Sequence, residues 1–547
     1  MKQGANRRLA NVKTRTETGL EYVMQNLDLN TPFGKKLLKE TKPFYPGQEE
    51  ELRAELDKVE GMMTFVKASE RQVSKMQENF MMMKDLSYTL ERSHKTALSV
   101  VELFEVKSLL LQMKDLDKIC KDPDCAVPKE YILEDVEELL DCLDPRKDRL
   151  NTFYIYDDFS EKLAESRKKK HELEILVRKA QKARKEEIRK DYGIVLTPKF
   201  DVIISKSSEE LEKAKQIKDL EQVTEDYMSV TFELGKSEEV FEHVKEIEDV
   251  NSEIEEEELV VREALSKRVA KYDEILRSNC DKVGALDLAL AKAIYGIRHN
   301  CVKPEIVQEH IVEIENGRQL QVEDILNSKK KEYCPVSIKL ADGVTCITGA
   351  NMGGKTISLK LAGLVPILAQ YGFFVPCTRA RIGLSNYMQI LIGDSQSVER
   401  GLSSFGSEME ELKEMLDNSM DRTILLIDEI ASGTNPVEGL ALTKSIIDYL
   451  KKKTYISLIT THFEAVTEEK DIVNMQVRGL ADADFRKLDS ELHIANRKER
   501  INIISRYMDY RLYTVTENRE IPKDALNIAK MLGLSDEIIN GAKKYIE

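Results

Sequence analysis

The sequence predicts a helical N-terminal part, interrupted by two long charged helices around a small β-rich tip, and then a mostly parallel α/β domain. Three observations carry this. Up to about residue 150, apolar residues recur at three- and four-residue spacing, as in EEELRAELDKVEGMMTFVKA and KTALSVVELFEVKSLLLQM. Two stretches, Asp158 to Lys190 and Glu238 to Leu276, are densely charged and contain neither Gly nor Pro. From about Cys301 onward, short β-type runs (VTCITG, ILIGD, TILLID, ISLITTHF) alternate with helical segments, the pattern of a parallel sheet.

Each element has a local reason. In the first part, breaks fall at Thr31-Pro32-Phe33-Gly34, at Tyr45-Pro46-Gly47 and at Asp144-Pro145. The first charged stretch has the thin apolar stripe of a coiled-coil strand and ends at Tyr192-Gly193. Phe200 to Ser208 and Asp226 to Ser237 read as β-rich segments with a helix between them. The second charged stretch carries Val261, Leu265, Val269, Tyr272 and Ile275 on one face, and its acid run Glu255 to Glu258 reads as a solvated face. Two long helices bracketing a small sheet imply an antiparallel pair.

Composition narrows the function. The chain has 547 residues, 41% apolar and 33% charged, with 83 Lys+Arg against 98 Asp+Glu and a formal net charge of −15. That length allows about three to five domains. The charge excludes a uniformly basic nucleic-acid binder but leaves local basic strips open. The N-terminal residues MKQGANRRLANVKTRTETGLEYV lack the apolar core of a signal peptide. The apolar stretch Leu359 to Pro376 is interrupted by Lys360, Gln370 and two prolines, so it reads as a buried helix and not a membrane span. The eight cysteines form no C-x-x-C pair, which points to reduced thiols in a cytoplasmic protein.

The strongest motif is Gly349-Ala350-Asn351-Met352-Gly353-Gly354-Lys355-Thr356, which fits G-x-x-x-x-G-K-[ST]. It follows the apolar run Val344 to Ile347 and opens a helix, the context a phosphate-binding loop requires. Backbone amides of such a loop wrap phosphates, Lys355 reaches the β and γ oxygens, and Thr356 ligates Mg²⁺. About 70 residues later, Ile424 to Ile427 end in Asp428-Glu429. There Asp428 is placed for Mg²⁺, and Glu429 to orient or deprotonate an attacking water. Thr460-Thr461-His462-Phe463 follows the apolar run Ile456 to Ile459, where His462 can sense the γ-phosphate.

Together these segments resemble the ATPase domain of the MutS family, a branch of the ABC-type ATPases. The loop TGANMGGKT is similar to the family's TG-P-NMGGK-[ST], with Ala350 in place of the usual Pro. Gly401-Leu402-Ser403-Ser404-Phe405-Gly406-Ser407-Glu408-Met409 resembles the signature G-x-S-[ST]-F-x-x-E-M. The resemblance implies that Ser403 reaches across a homodimer to the partner's γ-phosphate. Asp428 to Pro436 resembles the family's DE-[LI]-[GA]-x-GT-x-P, whose loop lies at the dimer seam. Asp394 and Gln396 match the loop between the nucleotide and the neighbouring domains, and Tyr333 falls near the family's adenine-stacking aromatic. The implied cofactors are ATP and Mg²⁺.

The resemblance also implies an organisation: a helical core over 1–157, lever helices over 158–276 with a reduced clamp at about 192–237, and a return of the core with a lead-in over 277–325. An ABC-type ATPase domain over 326–515 and C-terminal dimerisation helices over 516–547 complete it. Thr31 to Leu38 looks like the opening of the family's core domain, and Ala525 to Glu547 like its closing helices. Gly317-Arg318-Gln319-Leu320 stands where the family reads GRHP.

About 30 residues precede Thr31 and the sequence ends at Glu547, so the expectation is a short form lacking the family's mismatch-recognition and connector domains and any C-terminal Smr nuclease domain. The one early Phe-x-Glu, Phe159-Ser160-Glu161, opens a charged helix and reads as coincidence. The implied function is therefore a mismatch-repair-related ATPase that works a clamp on duplex or branched DNA without a mismatch reader. Arg167 to Lys190, with Lys206 and Lys213, could follow a phosphate backbone; a solvated helix with internal ion pairs is the alternative. A rival reading, also from resemblance, is a reactivating factor that opens an adenosylcobalamin-dependent aminomutase, such as the lysine enzyme, to release damaged cofactor.

Overall fold

The computed structural model describes residues 8–122, 127–349, 354–393, 404–466, 469–480, 484, 487–488, 491, 503, 507–515 and 524–544. The chain forms two compact units, one from residues 78–121 and 132–282, the other from 1–77, 122–131 and 283–547. The helices of the segment 1–157 are thus shared between the two.

The unit built on residues 78–282 is organised by its helix caps. Helix Val100–Cys120 starts with a reciprocal cap: Glu102 N donates to Ser99 Oγ at 3.2 Å, and Ser99 N donates to Glu102 Oε2 at 2.8 Å. Its inner face carries Leu103, Val106, Leu110 and Met113, and also the fully buried Lys107. Burial of that ammonium is offset by Asp144 Oδ1 at 3.1 Å and Thr152 O at 3.0 Å.

Helix Glu161–Tyr192 begins at Ser160, whose Oγ accepts from Leu163 N, and ends at Gly193 in the left-handed region (φ 73°). Ser160 is therefore a cap, which accounts for it in the Phe-x-Glu triplet. Helix Glu238–Lys271 is capped by Ser237 and stops at Tyr272, short of the expected Leu276. The two helices run antiparallel: Ser160 Oγ donates to Glu257 at 2.8 Å and Arg167 to Glu258 at 2.7 Å near one end, while Ile188 packs into the tip at the other. Half of the acid run thus ties the pair together, where the sequence reading made all of it a solvated face.

The tip is an antiparallel sheet of β1 (Asp201–Ser205), β2 (Leu220–Glu225) and β3 (Ser229–Leu234), in the order β1-β3-β2. Helix Glu210–Gln216 covers one face, burying Ile204, Leu211, Ala214, Val230 and Phe232. Strand β2, LEQVTE, carries no apolar alternation and was not anticipated.

In the other unit, helix Pro32–Glu40 opens where expected. Thr31 Oγ1 accepts from Gly34 N at 2.8 Å and donates to the buried Asp287 at 2.7 Å. A Cβ on Gly34 would lie 2.5 Å from that carboxylate, so the close approach requires glycine. A four-stranded sheet joins β4 (Glu305–Val307), β5 (Ile311–Gly317), β6 (Val336–Ala341) and β8 (Arg379–Gly383), in the order β4-β8-β5-β6.

The main sheet has the order β13-β12-β7-β11-β10-β9. Strands β7 (Gly343–Thr348), β9 (Tyr387–Ile392), β10 (Thr423–Asp428), β11 (Tyr455–Thr460) and β12 (Val473–Gly479) pair in parallel. Strand β13 (Asp509–Thr514) joins the edge antiparallel. Every residue of β10 and β11 is buried, which is why they read as continuous apolar runs. The C-terminal ends of β7, β10 and β11 lie side by side in register, with Asp428 opposite Thr460 and Thr460 opposite Ile347. Open parallel sheets carry their ligand sites at that edge.

Candidate active site

Strand β7 delivers the chain to Gly349 (φ 128°), and Gly354 (φ 78°) turns it into helix Lys355–Gln370. Both conformations are left-handed and suit glycine. The start of that helix presents free amides to an anion. Lys355 is almost entirely buried, and its Nζ donates to Gly349 O at 2.8 Å. The same nitrogen lies 3.2 Å from His462 Nδ1 and 3.5 Å from Glu429 Oε1. Burial pushes the ammonium below the usual lysine range, against the pull of Glu429 and Asp428.

Thr356 Oγ1 donates to Asp428 Oδ2 at 2.8 Å, and Asp428 Oδ1 accepts from Thr460 Oγ1. The hydroxyl at the end of β11 thereby aims the carboxylate at the end of β10. Beyond Asp428 the backbone turns sharply: Glu429 (φ 51°) and Ala431 (φ 59°) are non-glycine residues in the left-handed region. Such positions cost about 1–3 kcal/mol each and persist only where neighbours fix them. Glu429 N donates to Thr460 O at 3.0 Å, and Ala431 N to Glu408 Oε1 at 2.9 Å.

Glu429 Oε1 receives His462 Nε2 at 2.6 Å. That hydrogen bond, with the Lys355 ammonium in support, holds the Glu429 carboxyl below the usual range although burial opposes it. Glu429, Ser432, Thr434, Thr461, His462 and Phe463 line a cavity of about 200 Å³. Lys355, Thr356, Asp428, Glu429 and His462 thus converge from three separate segments of the sequence. Ala350, Asn351, Met352, Gly353, Asp394, Gln396 and Ser403 lie outside the described residues.

Tyr333 has a different set of partners. Its hydroxyl accepts from Gln319 N at 3.1 Å, and burial pushes it up to about 12. Among the described residues, Tyr510 on β13 brings an aromatic ring to the phosphate loop, where it would lie 3.0 Å from a Cβ on Gly354. It comes about 150 residues after the loop, and only the antiparallel pairing of β13 brings it near. Glu408 lies within the signature stretch and Thr460 within Thr-Thr-His-Phe, but the sequence alone assigns no role to either.

Residues 345–547 match the family model of MutS domain V. That domain is the family's ATPase. Proteins named Endonuclease MutS2 are among this chain's relatives. The one from Fusobacterium nucleatum is 30% identical over 317 residues, 56% of this chain and 37% of that protein. One from Clostridium botulinum is 30% identical over 303 residues, 52% of this chain and 35% of its own length. One from Acetivibrio thermocellus is 30% identical over 274 residues, 50% and 31% respectively. The matches thus span about a third of these relatives. They support membership of the MutS family.

The site fits the ligands that the resemblance implies. Thr356 and Asp428 offer converging hard oxygens, the donor type Mg²⁺ prefers. Among the described residues no group of three or more His, Cys, Asp or Glu could hold a metal. An ion that takes its other ligands from phosphates and water needs no such cage. Lys355 and the helix start supply the cationic side. Among the described residues no helix is long and apolar enough to cross a membrane.

Proposed function

We propose that the protein is a MutS-type ATPase whose ATP cycle opens and closes a clamp on DNA. The observation that carries the ATPase reading is the convergence of Glu429, His462 and Lys355 beside the Thr356–Asp428 pair. When bound, Mg²⁺–ATP supplies the phosphoanhydride to be cleaved. Thr356 and Asp428 would hold the metal. Lys355 balances charge on the phosphate oxygens. Glu429, kept ionised by His462, orients the attacking water and takes its proton. His462 fixes the glutamate and faces the γ-phosphate position. By family likeness, Gln396 lies between the nucleotide and the neighbouring domains, Ser403 of a second copy completes the site in trans, and the two copies form a homodimer. The segments 158–276 act as levers and clamp, and ATP-driven closure of the dimer moves them.

The DNA client rests on the MutS likeness and on one surface. At 100° per residue, Lys168, Arg178, Lys179, Lys182, Arg189 and Lys190 fall within one arc, opposite the buried Leu163, Leu173 and Ile188. All six are exposed. Internal pairing accounts for only part of the helix, through Arg184–Glu187 and Arg189–Glu186. The stripe runs for about 33 Å at 1.5 Å per residue. Lys206, by contrast, is engaged by Glu225 at 2.6 Å and adds nothing to it. The relatives give no support to an aminomutase client. The test is duplex binding across a salt series. Replacing Arg178, Lys179 and Lys182 by Gln should weaken binding and reduce the salt slope by about 0.9 per lost phosphate contact. Unchanged binding and slope would reject the stripe as the DNA surface.

A further inference from the structure

We infer that Glu408 is a positioning residue for hydrolysis: from the helix into which the signature runs, it holds the turn that aims Glu429. This rests on the ATPase reading above and goes beyond it, because it assigns to one chain a mechanical link between its trans-acting signature and its own base.

The turn is held at few points. Ala431 is fully buried, so its amide cannot fall back on water if its partner is removed. That partner is Glu408 Oε1 at 2.9 Å, on helix Ser404–Asn418. Glu408 comes 23 residues before Ala431, so no local turn explains the bond. On the other side, helix Pro436–Leu450 presses against the turn: a Cβ on Gly439 would stand 2.7 Å from Ala431 O. At the start of the turn, Glu429 N is held by Thr460 O and Oγ1. Both ends of the Glu429–Ala431 segment are therefore clamped while its two outer residues keep left-handed φ values. Without the Glu408 bond, Ala431 is free to relax to the right-handed region, and the side chain two residues earlier swings with it. The Glu408 carboxyl is pushed above the usual range by its burial, so either protonation state leaves an oxygen for the amide.

The arrangement has a consequence for order of events. Ser403 immediately precedes the helix that carries Glu408. A pull on the signature by a second copy is transmitted through this helix to Ala431 and hence to Glu429. The base is then in its working position only while the signature helix is seated.

The experiment compares Glu408→Ala with Glu408→Gln in the full chain. The Gln amide oxygen still accepts from Ala431 N, whereas Ala leaves that amide without a partner. The Ala variant should lose about 10- to 100-fold in kcat, the scale of a misplaced catalytic group, with KM for ATP within about twofold. The Gln variant should recover most of the loss. Hydrogen exchange by mass spectrometry should show the peptide carrying Ala431 opening in the Ala variant and protected in the Gln variant. Glu411→Gln, on the helix of Glu408, loses the ion pair to Lys13 but leaves the Glu408–Ala431 bond in place, and should keep kcat within about twofold as a control. A parent-like kcat in Glu408→Ala, or equal loss in Ala and Gln with unchanged exchange, would overturn the proposal. Glu429→Gln run alongside keeps the two readings apart: parent-like turnover there rejects the base, whatever the Glu408 pair does.

Discussion

Glu429 Oε1 and His462 Nε2 stand 2.6 Å apart, and this bond is the largest influence on the acidity of the glutamate. The sign follows directly. A carboxyl held below its ordinary range stays ionised as the pH falls, so the acid limb of kcat/KM should lie below the ordinary glutamate value of about 4.3. In His462→Ala the main lowering influence is gone and the burial of Glu429 remains, so the limb should move to higher pH. A pH–rate profile of kcat/KM for parent and variant checks this. An acid limb that stays in place would mean that His462 does not set the ionisation of the base.

Thr356 and Asp428 share a hydrogen bond, and the same two oxygens are the proposed Mg²⁺ ligands. The parent should melt at a higher temperature with Mg²⁺–ATP than with ATP and a chelator. A ligand at 100 times its Kd stabilises by about 2.7 kcal/mol. Asp428→Asn should lose the metal-dependent increment while keeping the response to ATP itself. An intact increment in that variant would move the metal elsewhere.

Away from the nucleotide, Lys107 and Asp144 form an ion pair with no exposed side-chain surface on either partner. Lys107→Met removes one charge and strands the other. Breaking such a pair costs about 3–5 kcal/mol, and Arg149, which also reaches Asp144, holds the loss near the lower end. Urea unfolding of the unit's transition should register it. A loss under about 1 kcal/mol would mean that Arg149 alone satisfies Asp144.

The site was legible wherever its chemistry is local. Lys355, Thr356, Glu429 and His462 each follow a buried strand of the main sheet and Asp428 ends one, and the apolar run that predicts the strand also fixes where the side chain emerges. What stayed hidden depends on pairing between distant segments. Tyr510 reaches Gly354 only because β13 closes the sheet edge, and no periodicity announces that partner. Tyr333, expected near the family's adenine-stacking aromatic, accepts a hydrogen bond from Gln319 N, a contact no periodicity announces. Glu257 and Glu258 looked like part of a solvated run because their partners, Ser160 and Arg167, come about 90 residues earlier. The tip's β2 has a polar exposed face and so lacks the alternation that marks a strand.

The central claim is that Glu429 is the base that activates water against ATP. Single-turnover hydrolysis by Glu429→Gln, with nucleotide binding measured on the same sample, tests it most directly. The variant should bind Mg²⁺–ATP as the parent does and hold it as a closed dimer. Its hydrolysis rate should fall by about 10²- to 10⁴-fold, the usual contribution of a positioned general base. Hydrolysis at the parent's rate with ATP bound would contradict the account.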